Sequence, residues 1–523
     1  MPRTRSAPAP APGPGPGPGT GTGDRPMTEH VDVLIVGAGL SGIGTAHHLQ
    51  AAFPGKSYTI LEARDSIGGT WDLFRYPGVR SDSDMYTLGY RFRPWTQAQA
   101  IAGGPAILRY VRDTAAEAGI DRRIRFGHRV TAAAWSSDTA RWTVTAEHGA
   151  STVRITCRFL LMCSGYYRYD HGYQPDFPGL ADFRGQVVHP QHWPADLDYA
   201  GRRVVVIGSG ATAVTLVPAL ARTAGHVTML QRSPSYILSL PGEDPIADRL
   251  RRLLGDRRAY PLTRWKNVLI AALIYRLSRR RPELVRGWVR RLAVRQLPPG
   301  YDVDTHFNPA YNPWDQRLCL IPDGDLFAAI RSGRASVVTD RIAAFTGSGL
   351  LLESGTELPA DIVVTATGLQ LLAFGGARLE VDGRPVQLPE TMAYKGMMLS
   401  GVPNFAFTVG YTNASWTLKA DLVSEFTCRL LGYLDAHGYD RCVPVDDDPR
   451  VGRRPLLDFS AGYVLRSIDE FPRAGSRAPW RLGMNYAQDL LTLRYGRIND
   501  GVLRFSRATG RPAPAAPARA ARG

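Results

Sequence analysis

Two short apolar runs, at 31–36 and 203–207, are each closed by a glycine-rich turn and followed by a helical pattern and a further apolar run. A strand, a glycine turn and a helix in this order open a βαβ unit, which binds a dinucleotide at the N-terminus of its helix. After the second unit, residues 236–305 carry apolar side chains at helical spacing. The sequence therefore predicts an α/β protein with two Rossmann-like dinucleotide-binding domains and a helical insertion.

The first unit is VDVLIVGAGLSGIGTAHHLQ, and its second strand is predicted at 57–62. Gly37 permits the tight turn, Gly39 lets the backbone approach a pyrophosphate, and Gly42 allows close packing of the helix on the strand. Glu62 ends the second strand, where a carboxylate accepts hydrogen bonds from a ribose diol and repels a 2′-phosphate. This site is predicted to bind FAD or NAD.

The second unit consists of a strand (RVVVIG), a helix at 209–224 and a second strand (HVTMLQR). Its turn carries Gly208, Gly210 and Ala213, and the alanine loosens the closest contact between helix and strand. The second strand ends at Arg232 with no acid nearby, and a guanidinium there pairs with a ribose 2′-phosphate, which favours NADP. One site is thus predicted to hold FAD, and the other NADPH as the source of hydride.

Strands at 159–167 and 361–368 each end in small residues, and we predict that the chain crosses between domains there. The predicted limits are 27–165 and 370–506 for the FAD-binding domain, 166–235 and 325–369 for the NADP-binding domain, and 236–324 for the helical insertion. The tails 1–26 and 507–523 are rich in Pro, Ala and Gly or Arg. They have too few apolar side chains to offset the conformational entropy that is lost on ordering, so they are predicted to be disordered.

The net charge of +16 is carried mostly by arginine, but no nucleic-acid-binding motif accompanies it. Nucleic acid is therefore excluded as the main partner. Many of the arginines fall in 236–305, beside apolar residues at helical spacing such as Leu262, Trp265, Leu269 and Leu273. Two interpretations stay open: a basic amphipathic surface for anionic lipid, or an insertion packed on the nucleotide domains with a solvated polar face.

The five cysteines are odd in number and form no CxxC or His/Cys metal spacing. They are typical of a reduced, cytosolic protein, and they exclude a disulfide reductase, which needs a redox pair beside the flavin. The N-terminus lacks the apolar run of a secretory signal, and the longest strongly apolar run, 268–275, is too short to span a membrane. We expect a cytoplasmic protein that associates at most peripherally with the inner face of the cell membrane.

Two longer motifs carry a resemblance to a known family. FRGQVVHPQHWP matches FxGxxxHxxxWP, the fingerprint of Baeyer–Villiger monooxygenases, through Phe183, Gly185, His189, Trp193 and Pro194. GGTWDLFRYPGVRSD matches that family's second signature and ends at Asp82. The chain resembles this family over 27–505. Within it, stretches such as YNPWDQRLC and VGYTNASWTLKADLVSEF closely resemble the ethionamide-activating branch.

The resemblance implies that NADPH reduces the flavin, that O2 then forms a flavin peroxide, and that this oxidant inserts oxygen into a ketone to give an ester or lactone. Sulfur in thioamides or sulfides is oxygenated by the same oxidant. A fixed cation stabilises the negative charge that develops. The resemblance assigns this role to Arg317 with Asp82 as its partner, and a plain salt bridge is the alternative for Arg317. His189 and Trp193 are expected to fix the linker between domains, and His192 is expected to be a loop histidine.

The predicted cofactor contacts are the two turns, their flanking residues and the strand ends. For FAD they are Gly37, Gly39, Ser41, Gly42, Glu62, Thr70, Trp71, Asp82 and Val130. For NADP they are Gly208, Ser209, Gly210, Ala211, Thr212, Ala213, Arg232 and Ser233. Two other functions stay open, a heteroatom-oxidising flavin monooxygenase and a flavin-bound sensor without turnover. The sequence does not name the substrate or the oligomeric state.

Overall fold

The computed structural model describes residues 29–316, 318–457 and 461–508. The predicted N-terminal tail, the C-terminal tail from 509 onward and Arg317 lie outside the described residues. The α-helices of the described residues are α1 (Leu40–Ala52), α2 (Thr70–Leu73), α3 (Met85–Leu88), α4 (Gly104–Glu117), α5 (Ala211–Leu220), α6 (Pro245–Leu254), α7 (Asp256–Arg280), α8 (Pro282–Gln296), α9 (Val303–Phe307), α10 (Asp325–Arg331), α11 (Trp416–His437), α12 (Gly462–Leu465) and α13 (Tyr486–Asp489).

The strands of the described residues are β1 (Glu29–Val36), β2 (Tyr58–Leu61), β3 (Ile124–Arg125), β4 (Arg129–Ser136), β5 (Arg141–His148), β6 (Ser151–Met162), β7 (Gln186–Val188), β8 (Arg203–Ile207), β9 (His226–Gln231), β10 (Ile237–Leu240), β11 (Cys319–Pro322), β12 (Ala335–Thr339), β13 (Ile342–Thr346), β14 (Gly349–Leu352), β15 (Glu357–Pro359), β16 (Ile362–Thr365), β17 (Arg378–Val381), β18 (Arg384–Pro385), β19 (Ala393–Tyr394), β20 (Met398–Leu399), β21 (Phe405–Phe407), β22 (Arg441–Pro444), β23 (Arg453–Pro455), β24 (Arg473–Gly475) and β25 (Leu503–Ser506).

The first large sheet is built around β1. Its strand order is β18-β17-β4-β5-β6-β1-β2-β3, with β21 beside β6. β1 pairs in parallel with β6 and with β2. The pairing with β2 is parallel because the chain leaves β1 through the glycine turn and returns through α1. Val33, Leu34 and Ile35 are fully buried, as a strand covered on both faces requires. The strands predicted at 31–36 and 57–62 are confirmed.

The second large sheet is entirely parallel, with the order β12-β9-β8-β16-β7. It contains the second predicted βαβ unit, although α5 is shorter than the predicted helix at 209–224 because its ends are turns. β6 belongs to the first sheet and β16 to the second. The chain therefore passes from the first sheet to the second after β6 and returns after β16.

The region predicted as helical, 236–305, contains α6, α7, α8 and α9, but it begins with a strand. β10 pairs in parallel with β11, so the helices are enclosed between two paired strands. The purely helical prediction was wrong at this point. Ile237 and Leu238 are buried, and the partner strand lies about eighty residues away, so local periodicity carries no sign of the pairing. Among the described residues, no helix is long and apolar enough to cross a membrane.

Candidate active site

The first glycine turn joins β1 to α1 in a conformation that only glycines allow. Gly37 has φ +103°, and a Cβ there would lie 2.7 Å from the carbonyl oxygen of Cys163 on the neighbouring crossover. A Cβ on Gly42 would lie 1.9 Å from the Gly37 oxygen, so α1 approaches the turn as closely as the backbone permits. The turn is therefore fixed by contacts within the protein, and the N-terminus of α1 presents its N–H groups at a defined place.

Glu62 is held by this turn, although it was predicted to contact only a ribose. Its side chain is buried, and its two carboxylate oxygens accept from the backbone N–H groups of Ala38 (2.7 Å) and Arg64 (2.9 Å). Burial raises the pKa of Glu62, while these two hydrogen bonds act in the opposite direction. A carboxylate has about four lone-pair sites, so it can accept from a ribose hydroxyl in addition.

A cavity of about 490 Å³ extends from this turn. Of the predicted FAD contacts, only Gly42 lies outside its wall; the lining includes Gly37, Gly39, Ser41, Glu62, Thr70, Trp71, Asp82 and Val130. The hydroxyl of Ser164 also lies at the wall, is buried and has no hydrogen-bond partner among the described residues. Helix N–H groups, a ribose-type carboxylate and a free hydroxyl around a ligand-sized cavity fit FAD.

Two aromatic residues of this wall were not assigned a role from the sequence. Tyr169 lies 3.1 Å, oxygen to oxygen, from the hydroxyl of Thr70, and burial raises the pKa of Tyr169 to about 12. Trp416, at the start of α11, donates its indole N–H to Ser41 at 2.7 Å. Trp416 lies in the quoted stretch VGYTNASWTLKADLVSEF. Only the tertiary structure shows that both residues support predicted FAD contacts.

The second glycine turn has the same backbone plan with a more open surface. Gly208 has φ +134°, and a Cβ there would lie 2.4 Å from the oxygen of Ala366. A Cβ on Gly210, in contrast, would meet no heavy atom within 4 Å. Ser209 lies 2.8 Å from the hydroxyl of Ser235, and Ala213 is buried under the turn. This leaves the helix N-terminus accessible to a phosphate.

The end of β9 distinguishes the two turns. Gln231 is buried and donates to the oxygens of His306 and Thr339, both at 2.8 Å. Arg232 and Ser233, which follow it, are exposed. Arg232 forms no ion pair with any residue in the described part of the chain. Its guanidinium is therefore accessible to a phosphate from solvent.

The signature segment 68–82 connects the two turns. Its first residues line the FAD cavity, and Tyr76 then reaches the side chain of Thr212 at the start of α5. A Cβ on Gly78 would lie 2.7 Å from Ala219 Cβ, and Arg80 pairs with Asp325 at 2.5 Å. Thr212 is a predicted NADP contact, and Ala211 precedes it at the helix start. One short segment thus contacts the first glycine turn, where Gly68 donates its N–H to Ala38 at 3.1 Å, and the helix α5 that follows the second turn, and it ends in the cavity at Asp82.

Asp82 lines the cavity between Ser81 and Ser83. Arg317, its predicted partner, lies outside the described residues, so the pairing stays a prediction. The residues before it are held by α7, because Asp315 accepts from Arg279 at 2.7 Å and Trp314 packs against Tyr275.

The fingerprint at 183–194 surrounds the edge strand β7 of the second sheet. Phe183 is buried against Phe345, and a Cβ on Gly185 would lie 2.4 Å from the Asp361 oxygen. His189 packs against Gly172, on the first crossover, and burial lowers its pKa. A neutral imidazole in packed surroundings agrees with a structural role. Trp193 is half-buried, whereas His192 and Pro194 are exposed.

The comparisons with known proteins agree with this geometry. Residues 103–375 match the flavin-binding monooxygenase-like family, and residues 35–98 match the NAD(P)-binding Rossmann-like domain. The chain is 60% identical over 489 residues to the FAD-containing monooxygenase EthA of Mycobacterium tuberculosis, covering 93% of this chain and 99% of that protein. It is 53% identical to the putative FAD-containing monooxygenase MymA of the same species, covering 92% of this chain and 99% of that one.

A solved structure, described as oxidized steroid monooxygenase bound to NADP, shares the fold with a TM-score of 0.72 at 23% identity. The match covers 91% of this chain and all of that chain. The predictions of an α/β fold, of an oxidoreductase and of FAD and NADPH as its cofactors are confirmed. The chain belongs to the flavin-binding monooxygenase-like family and is an FAD-containing, NADPH-dependent monooxygenase.

Proposed function

We propose that the protein carries out Baeyer–Villiger oxidation: a ketone, O2, NADPH and a proton give an ester or lactone, water and NADP⁺. We propose that it also oxygenates sulfur in thioamides or sulfides. The supporting observation is that one cavity brings Asp82, at the end of the second signature, together with the glycine turn and Glu62. The nucleotide-binding wall and the acidic group of the signature therefore face the same space.

FAD, when bound, accepts hydride from NADPH and supplies the activated oxygen. The N–H groups at the start of α1 would hold its pyrophosphate, and Glu62 its ribose. Arg232 would hold the 2′-phosphate of NADPH at the rim of the second sheet.

Oxygen insertion places negative charge on the carbonyl oxygen of the substrate. We propose that Arg317 stabilises this charge and that Asp82 orients the guanidinium. The segment 68–82 would hold Asp82 at a fixed position relative to α5, the helix proposed to bind NADPH, because it also contacts α5 through Tyr76. His189 would remain neutral and would hold the crossover in place.

The proposed partners are a small ketone or sulfur compound, O2 and an anionic membrane surface. The last is supported by the composition of 236–324, where exposed apolar side chains and arginines lie on the same helices. A peripheral contact would keep the two large sheets outside the bilayer.

The test is a panel of paired ketones and sulfides, assayed with NADPH under ¹⁸O₂ and analysed by product mass. Esters or lactones that carry a single labelled oxygen are expected from the ketones. Oxidation of the sulfides alone would favour the heteroatom-oxidising alternative. NADPH consumption that no substrate stimulates would contradict both.

A further inference from the structure

The long helix α7 buries one face against the rest of the protein and leaves an apolar face exposed. Its buried face includes Tyr260, Arg264, Val268 and Ser278. On the opposite face six large apolar side chains, at spacings of one, three and four residues, are between 38% and 66% exposed. They are Leu262, Trp265, Leu269, Ile270, Leu273 and Leu277. Isolated exposed apolar residues are common, but a continuous stripe of this kind marks a surface that meets an apolar partner.

The net charge of α7 and α8 indicates what the exposed face of α7 binds. Residues 256–296, which form α7 and α8, contain twelve Arg and Lys against two Asp and Glu, a net charge of +10 in a chain of net charge +16. Arg276, Arg280 and Arg281 are exposed and form no ion pair with any described residue. A second copy of this chain would bring like charges together. An anionic bilayer accepts the apolar stripe between its acyl chains and the arginines among its headgroups.

Helix α7 contacts residues near the active site at three places. Asn267 donates to Asp84 at 2.8 Å, two residues after Asp82. Val268 packs in one cluster with Tyr411, which lines the cavity.

The third contact lies near the end of the helix, where Arg279 and Tyr275 hold the residues just before 317. The same helix therefore carries the exposed apolar stripe on one side and contacts residues beside the cavity on the other.

We propose that the exposed face of α7, with the adjoining arginines, docks on an anionic bilayer and that lipophilic ketones dissolved there enter the cavity along this helix. This rests on the proposed function, and it adds a substrate class and a route of entry. The expected substrates are long-chain ketones that partition into membranes. Short water-soluble ketones would reach the cavity without the membrane.

The first measurement is co-sedimentation of the yellow holoenzyme with vesicles of phosphatidylglycerol or phosphatidylcholine. Binding to phosphatidylglycerol alone, weakened by salt, is expected. The double variants L269D/L273D and R276E/R280E should each bind at least about tenfold more weakly. Leu465→Asp and R378E/R384E are controls, because they introduce one Leu→Asp substitution and two Arg→Glu substitutions at exposed positions outside α6–α9, and they should bind like the unmutated enzyme.

The second measurement compares kcat/KM for a long-chain methyl ketone carried in phosphatidylglycerol vesicles with kcat/KM for butanone. L269D/L273D should lower the first by about tenfold and leave the second within about twofold. Unchanged vesicle binding by both double variants, or a dimer that they dissociate without any vesicle binding, would overturn the docking proposal. Normal turnover of the vesicle-borne ketone by a variant that no longer docks would overturn the entry route. Docking without oxidation of either ketone would instead contradict the proposed function and leave the surface intact.

Discussion

The two glycine turns share one backbone plan, but the strand ends beside them differ in burial. At the first turn, Glu62 is buried and fixed by two backbone N–H groups. At the second, Arg232 is exposed, and an added Cβ on Gly210 would meet open space. The first site has a buried acid at the wall of a cavity of about 490 Å³, whereas the second has an exposed arginine beside a turn that is open to solvent. A cofactor that stays bound suits the first, and a nucleotide that binds and leaves in each turnover suits the second.

The largest expected effect comes from the closest contact of the first site. Gly42→Ala places a Cβ 1.9 Å from the Gly37 oxygen, so the turn must move and FAD binding should be lost, together with all activity. Gly210→Ala has free space around the new methyl group, so this control should purify yellow and folded. Flavin absorbance per protein and circular dichroism measure both. A full complement of FAD in Gly42→Ala would show that the buried site is less rigid than described.

Arg317→Ala should affect oxygen insertion without altering either nucleotide site. Removing one preorganised charge commonly costs on the order of 10²–10³ in rate, so ester formation should nearly cease. FAD content should be normal, and NADPH should still be consumed, with release of hydrogen peroxide. Asp82→Ala should be less severe, and the double variant should resemble Arg317→Ala because the two groups act as a unit. Ester formation near the original rate in Arg317→Ala would refute the assigned role.

The features of the two nucleotide sites that depend on local sequence pattern could be predicted from the sequence. The strand–turn–helix order and the acid or arginine at each strand end follow from spacing along the chain. The burial of Glu62 could not be predicted, because it depends on the folded positions of Ala38 and Arg64, whose backbone N–H groups donate to the carboxylate. The β10–β11 pair and the support of Ser41 by Trp416 join residues that are distant in sequence, and no local periodicity reports such contacts.

Glu62→Gln should test whether the buried carboxylate is needed as a double acceptor. The amide NH2 group would face one of the two backbone N–H donors, and an unsatisfied buried donor costs about 1–3 kcal/mol. The turn that carries Ala38 would move to avoid this cost and would leave the position that FAD needs, so the Kd for FAD should rise by roughly tenfold or more. Burial raises the pKa of Glu62, so in the unmutated protein one of the two accepting oxygens should become an O–H donor as pH falls through that raised pKa. FAD titrations from neutral to acidic pH should therefore show weakening affinity for the unmutated protein and a flatter profile for the variant. If FAD affinity depends on pH in the same way in both proteins, Glu62 does not contribute to FAD binding.

Arg232→Ala should have the smallest effect, because the residue is exposed and water screens its charge. A guanidinium–phosphate pair is worth about 1.5–3 kcal/mol, so the KM for NADPH should rise by roughly tenfold, less if screening is strong. The KM for NADH should stay unchanged, since NADH has no 2′-phosphate, and flavin content should also be unaffected. Arg222→Ala, an exposed arginine beyond α5, serves as the matched control.

Salt distinguishes this contact from an indirect effect of the same substitution. Added salt should raise the KM for NADPH in the unmutated enzyme and in Arg222→Ala, because ions compete with the exposed guanidinium for the phosphate. In Arg232→Ala the KM should be high at all salt concentrations and should respond weakly. Equal use of NADH and NADPH by the unmutated enzyme would show that Arg232 does not select for the 2′-phosphate. A salt response that survives in Arg232→Ala would show that another positively charged side chain binds this phosphate. In either case the 2′-phosphate would not be bound at the second site as inferred from the position of Arg232.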